Sequence, residues 1–176
     1  MEPAQPIPVV SFAGRSNSGK TTFVEKLIVL LQDKGLRVAC VKQHHHDVDV
    51  DVVGKDSWRY AQAGAACSII ATPAQVSLVH QVDSVPSIEK LAQMAADAPC
   101  DVLLAESFAG ADTVDRYIVA RIDRAEEPLL APEETAGLIT DDADLAAMWE
   151  AAGRPTFDIN NVVSFAQYVI SHYNLA

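Results

Sequence analysis

Short apolar blocks alternate along this chain with longer amphipathic stretches. Residues 7–13 (IPVVSFA) form a β-branched run bounded by Pro and Gly, which predicts a buried strand. A turn rich in Gly and Ser follows. Phe23, Val24, Leu27, Ile28, Leu30 and Leu31 then recur at helical spacing until Gly35 ends the segment. Residues 36–42 (LRVACVK) read as a second buried strand. Near-continuous apolar character in both strands predicts a parallel sheet covered by helices. Further buried strands are expected over 100–107, 116–122 and 136–141. Residues 67–72 and 76–82 pair as two strands around a PAQ turn. A helix capped by Ser87 is expected over 87–98, and an Asn-capped one over 160–173. The pattern between 124 and 135 is that of a loop. Neither repeats nor low-complexity tracts interrupt the chain, and 176 residues suit one α/β domain over 1–176.

The formal charge of −11 argues against a nucleic-acid or anionic-membrane surface, because phosphate backbones are bound by clustered Lys and Arg. An anionic ligand must then be held locally, by backbone N–H groups and a few cations. Cys40, Cys67 and Cys100 are widely spaced, have apolar neighbours and form no CxxC pair, so reduced core cysteines are expected. The N-terminal MEPAQPIPVV lacks a basic start and a long apolar core, and no apolar run approaches the roughly 20 residues that span a bilayer. A soluble cytoplasmic protein is the expectation.

One motif carries most of the chemistry. Gly14, Arg15, Ser16, Asn17, Ser18, Gly19, Lys20 and Thr21 match G-x-x-x-x-G-K-[ST] in full, between a predicted strand and a predicted helix. The backbone of such a turn folds into a nest of inward N–H groups, and the following helix adds its positive end. Lys20 is expected on the β- and γ-phosphates of a nucleoside triphosphate, Thr21 on Mg²⁺, and Thr22 near the α-phosphate. The expected architecture is a three-layer P-loop NTPase-like domain with a mainly parallel sheet and an antiparallel extension over 76–82.

A Mg²⁺·nucleotide site needs a carboxylate, often at a strand end. Glu106 closes DVLLAE and is a candidate for positioning water or holding the metal, whereas Asp101 begins the same strand and faces away. Residues 43–65 crowd His44, His45, His46, Asp47, Asp49, Asp51, Lys55, Asp56, Ser57 and Arg59 together. Asp56 is the preferred second partner for Mg²⁺, and Lys55 and Arg59 are candidates for an anion. The histidines read first as a solvated loop, with metal binding as the minority reading, and the alternating DVDVDV as a charged edge strand.

Together the P-loop, residues 41–65 and DVLLAESF resemble the molybdopterin-guanine dinucleotide biosynthesis adapter family, MobB. Val41, Lys42, His45, His46, Asp51, Gly54, Lys55, Asp56, Ser57, Trp58, Arg59, Ala63, Gly64 and Ala65 carry the match. Val53 stands where the family has Pro, and Gln43 where it has His. The family's Glu-Gly-Phe-Lys is Glu106, Ser107, Phe108 and Ala109 here, and Asp115 or Arg116 replaces a later Lys. The resemblance implies a dimeric GTP-binding protein that assists a guanylyltransferase in attaching GMP to molybdopterin.

No Asn-Lys-x-Asp signature selects guanine. Asp141 or Asp142 after the 136–141 strand is the candidate, with helix capping as the competing role for Asp142. Three functions follow from these residues. The first is a GTP-binding adapter with slow hydrolysis, in which Lys20, Asp56 and Glu106 do the chemistry with Mg²⁺. The second is an ATP-dependent small-molecule kinase, for which Arg116, Arg121 and Arg124 would have to form a lid although their stretch reads as sheet. The third is a nucleotide-binding module without chemistry, serving another cofactor-insertion partner.

Overall fold

The computed structural model describes residues 7–44, 46, 48, 51–108, 113–123 and 128–175. In chain order the elements are β1 (Val9–Ala13), α1 (Lys20–Gln32), β2 (Val38–Lys42), α2 (Asp56–Gln62), β3 (Cys67–Ala71), β4 (Val76–His80), α3 (Ile88–Asp97), β5 (Val102–Glu106), β6 (Asp115–Val119), β7 (Gly137–Thr140), α4 (Ala143–Ala151), β8 (Thr156–Asp158) and α5 (Val162–His172), with a 3₁₀ turn over Pro132–Glu134. They cluster into two compact units, Met1–Gln43 with Ile88–Ala176, and His44–Ser87.

The first unit is a six-stranded sheet in the order β2-β5-β1-β6-β7-β8, with every pairing parallel. Alternation along each strand sorts side chains onto two faces. Val10, Phe12, Leu104, Tyr117 and Ile139 turn toward α1 and α5, where Phe23, Leu27, Leu31 and Phe165 meet them. Val9, Leu103 and Ala105 turn the other way, onto Ile88 and Ala92 of α3. Ile118 and Leu138 meet Trp149 of α4. The result is the expected three-layer arrangement. Its centre is Phe165, whose ring stands edge-on to Phe23 at 5.5 Å, Tyr117 at 5.0 Å and Phe157 at 4.9 Å. Such pairs add about 0.5–1.5 kcal/mol each beyond the area they bury.

Several expectations are corrected. β2 is not a buried strand: it pairs only with β5, so it forms an edge of the sheet and Cys40 and Lys42 are exposed. The cysteines are free but not in the core, since Cys40 lies on that edge, Cys67 is exposed and Cys100 is half-buried. Asn161 stands at the start of α5 without donating or accepting a side-chain capping bond. The strand expected over 116–122 ends at Val119, which releases Arg121 from the sheet. β8 and α2 were not anticipated. β8 has three residues and α2 seven, too few to display a period.

The second unit carries the expected hairpin as a separate two-stranded antiparallel sheet. Ser68, Ile70, Ser77 and Val79 lie on one face, where Ile70, Ser77 and Val79 line a cavity of about 400 Å³ with Asp51, Lys55, Asp56 and Ser57. The opposite face presents Ile69, Val76 and Leu78 to solvent, each more than half exposed. Among the described residues, no helix is long and apolar enough to cross a membrane.

Candidate functional site

In a parallel sheet all strand ends open on one edge, and the P-loop turn leaves β1 at that edge. Gly14 is required there by close approach. A Cβ at that position would run into the carbonyl oxygen of Val119 on the neighbouring β6. Gly19, the residue that starts α1, has φ +90°, in the left-handed region that glycine alone enters without strain, and Asn17 has φ +62°. Ser18 N donates to Arg15 O at 3.2 Å and closes the turn, while Phe23 N donates to Gly19 O at 2.9 Å and starts the helical ladder. Lys20 is buried, and its Nζ donates to Gly14 O at 2.8 Å and Arg15 O at 2.7 Å. Burial pushes its pKa down, Glu106 opposes that shift, and Lys42 adds to it. Arg15, Ser16, Asn17, Thr21 and Thr22 are exposed along the mouth of the turn, and Ser18 is buried beneath it.

The strand-end carboxylate is where the sequence placed it. Glu106 ends β5, adjacent to β1, and its side chain turns to the α1 side of the sheet. Thr21 Oγ1 donates to Glu106 Oε1 at 2.8 Å and lies 3.0 Å from Oε2. A hydroxyl and a buried carboxylate are hard oxygen donors, so these two residues fit Mg²⁺. Among the described residues no group of three or more His, Cys, Asp or Glu gathers as a metal cage. Lys42, at the end of β2 and opposite Glu106 in register, reaches the same carboxylate at 2.9 Å. The residue after Glu106 carries strain: Ser107 has φ +58°, at the position where the resembling family has glycine.

Arg121, read from the sequence as part of a strand or of a kinase lid, pairs instead with Asp141, a contact that the sequence did not reveal. It lies beyond the end of β6, and its side chain comes within 3.8 Å of where a Cβ on Gly19 would stand. Arg121 Nη2 donates to Asp141 Oδ2 at 3.0 Å, and Ile122 N donates to Asp141 Oδ1 at 2.8 Å. Asp141 thus ties the β6 and β7 ends together beside the P-loop. Asp142 caps α4, accepting from Asp144 N at 3.0 Å and Leu145 N at 3.1 Å, which bears out the capping role. Both carboxylates line a cavity of about 380 Å³ with Thr140, Phe157, Asp158 and Asn160. Ile159, between the last two, has its side chain 3.4 Å from where a Cβ on Gly19 would stand. Asp101 accepts from Arg37 N at 2.7 Å and pairs with its guanidinium at the opposite end of β5, a structural role as expected.

Lys55, Asp56 and Arg59 belong to the second unit, at the start of α2. Asp56 and Arg59 are exposed and 4.0 Å apart. Ser57 Oγ donates to Asp51 Oδ1 at 2.9 Å, which fixes the turn before α2. His44 and His46 are exposed. His45, Asp47, Asp49, Val50, Ala109 and Arg124 lie outside the described residues.

Comparison with known proteins places this geometry. Residues 9–141 match the family described as molybdopterin guanine dinucleotide synthesis protein B. The molybdopterin-guanine dinucleotide biosynthesis adapter protein of Escherichia coli K12 is 30% identical over 171 residues, 93% of this chain and 92% of that one. The adapter protein of Haemophilus influenzae is 38% identical over 102 residues, 58% of this chain and only 57% of that relative. The crystal structure of Bacillus subtilis MobB superposes with a TM-score of 0.73 at 25% identity, covering 97% of this chain and 100% of the other.

Proposed function

The chain belongs to the molybdopterin guanine dinucleotide synthesis protein B family, and from that premise we propose that it is a GTP-binding adapter that assists a guanylyltransferase in attaching GMP to molybdopterin. The observation that carries the nucleotide reading is a complete P-loop with Thr21 and Glu106 in contact at its mouth. The nest of backbone N–H groups and the start of α1 receive the phosphates, and Lys20 exchanges its two carbonyl partners for phosphate oxygens. Thr21 and Glu106 would hold Mg²⁺, which would supply positive charge to offset that of the phosphates. Asp141 has lone pairs left for the N1 and N2 protons of guanine, and the cavity that it lines gives the base its place.

Hydrolysis by this site is slow. Glu106 is already engaged by Thr21 and Lys42, so it orients water only in part. The protein works in the cytoplasm as a homodimer, through the apolar outer face of the hairpin made by Ile69, Val76 and Leu78.

A reconstituted reaction tests the proposal. Guanylyltransferase, molybdopterin and limiting GTP are combined with and without this chain, and dinucleotide is measured. Stimulation by the wild-type chain and none by Lys20→Ala is expected. No stimulation at any ratio would reject the adapter role, and phosphate transfer from ATP to a small molecule would put a kinase in its place.

A further inference from the structure

Lys42 makes contacts that a nucleotide-binding role for Thr21 and Glu106 does not call for. Its ammonium lies 2.9 Å from Glu106 Oε1 and 3.4 Å from Thr21 Oγ1, the two groups that fit the metal. The Glu106 side chain is only a tenth exposed, whereas that of Lys42 is nearly half exposed. The carboxylate is therefore fixed and the lysine is free to swing out. β2 is an edge of the sheet, so no further strand of that sheet flanks the lysine stem.

We propose that Lys42 is the resident counter-ion of the metal seat. In the empty site its ammonium neutralises the buried carboxylate, which would otherwise be costly to leave unpaired. A divalent cation arriving at Thr21 and Glu106 meets a like charge and has to displace it. The displaced ammonium stays within its stem's reach of the P-loop mouth, where phosphate oxygens are the new partners. Two consequences follow. The metal binds more weakly than it would without Lys42, and a nucleotide bound without metal still finds a cation at the seat. The second consequence rests on the nucleotide reading above, and the first does not.

The test compares wild type with Lys42→Met and Lys42→Arg in the full chain. Without nucleotide, thermal unfolding is followed in Mg²⁺ and in EDTA. Because a ligand that binds only the folded state raises the melting temperature, Mg²⁺ is expected to raise that of Lys42→Met by more than that of wild type. Lys42→Arg, which keeps the charge, should behave as wild type. GTP affinity is then measured in both media. The ratio of the dissociation constant in EDTA to that in Mg²⁺ should grow about tenfold in Lys42→Met, the loss expected for a charged hydrogen bond. A lysine with only a structural role would weaken both affinities alike and leave the ratio unchanged, and that result overturns the proposal. So does an equal or smaller Mg²⁺-induced rise in melting temperature. If no variant binds nucleotide in either medium, the nucleotide reading fails while the melting comparison still decides the role of Lys42.

Discussion

The two units of this chain use polar residues in opposite ways. In the sheet unit the functional side chains already hold one another. Lys20 is bonded to the turn it belongs to, Thr21 to Glu106, Glu106 to Lys42, and Arg121 to Asp141. In the hairpin unit Asp56 and Arg59 are exposed, and the large apolar residues Ile69, Val76 and Leu78 face solvent. The first arrangement is preorganised for a small charged ligand. The second has the composition of an interaction surface, where exposed apolar groups on a sheet face await a partner. A cluster of ligand-type residues in a sequence therefore says less about a site than whether those residues end up paired and buried.

The largest effect is expected in the core that supports the sheet unit. Phe165→Ala removes the ring that meets Phe23, Tyr117 and Phe157, and should destabilise by about 3–5 kcal/mol in chemical unfolding. A loss under about 1 kcal/mol would mean that the aromatic cluster is not the support of the site. Next, Leu78→Asp should weaken self-association by at least about tenfold, read by light scattering across dilution, with nucleotide affinity unchanged. If it lowers nucleotide affinity as well, the two units do not divide the work in this way.

One substitution is expected to add stability. Ser107 sits at φ +58° immediately after Glu106. Ser107→Gly should relieve that strain and add about 1 kcal/mol, measurable as a shift in the denaturant midpoint. The smallest effect is the pH response. Burial raises the pKa of both Tyr117 and Tyr173, and the hydrogen bonds to Tyr168 and Asp115 raise them further. The folded chain keeps these phenolic protons when the unfolded chain loses them near pH 10 or so. Their contribution is therefore complete below about pH 10 and is lost as pH rises above it. Lys20, with its pKa lowered by burial, acts in the opposite sense over the alkaline range, so the useful quantity is a difference. Tyr117→Phe should lose less stability than wild type between pH 9 and 11, to within about 1 kcal/mol.

What was legible in the sequence was what is local. The P-loop declares itself because its glycines, lysine and threonine act within eight positions and must lie between a strand and a helix. Glu106 was legible as the last residue of an apolar block, and Asp142 as the residue before a helical run. What escaped depends on the order of the strands. Arg121 is meaningful only because β6 and β7 are neighbours, which brings Asp141, twenty residues later, to its guanidinium. β2 looked buried because its residues are apolar, yet the sheet order leaves it at an edge. Lys42 gained a role from register, opposite Glu106 across 64 residues of chain. The hairpin was read correctly as a pair of strands, while the exposure of one face could not be read from alternation that places apolar residues on both.

The most direct measurement is a calorimetric titration of the chain with GTP and with ATP, each with Mg²⁺, beside Lys20→Ala. GTP is expected to bind at least about tenfold more tightly than ATP, and Lys20→Ala, by removing charge-assisted bonds to phosphate, to abolish measurable binding of both. Equal or tighter binding of ATP would contradict the guanine assignment and the role given to Asp141. Undiminished binding by Lys20→Ala would contradict the placement of the nucleotide at the P-loop itself.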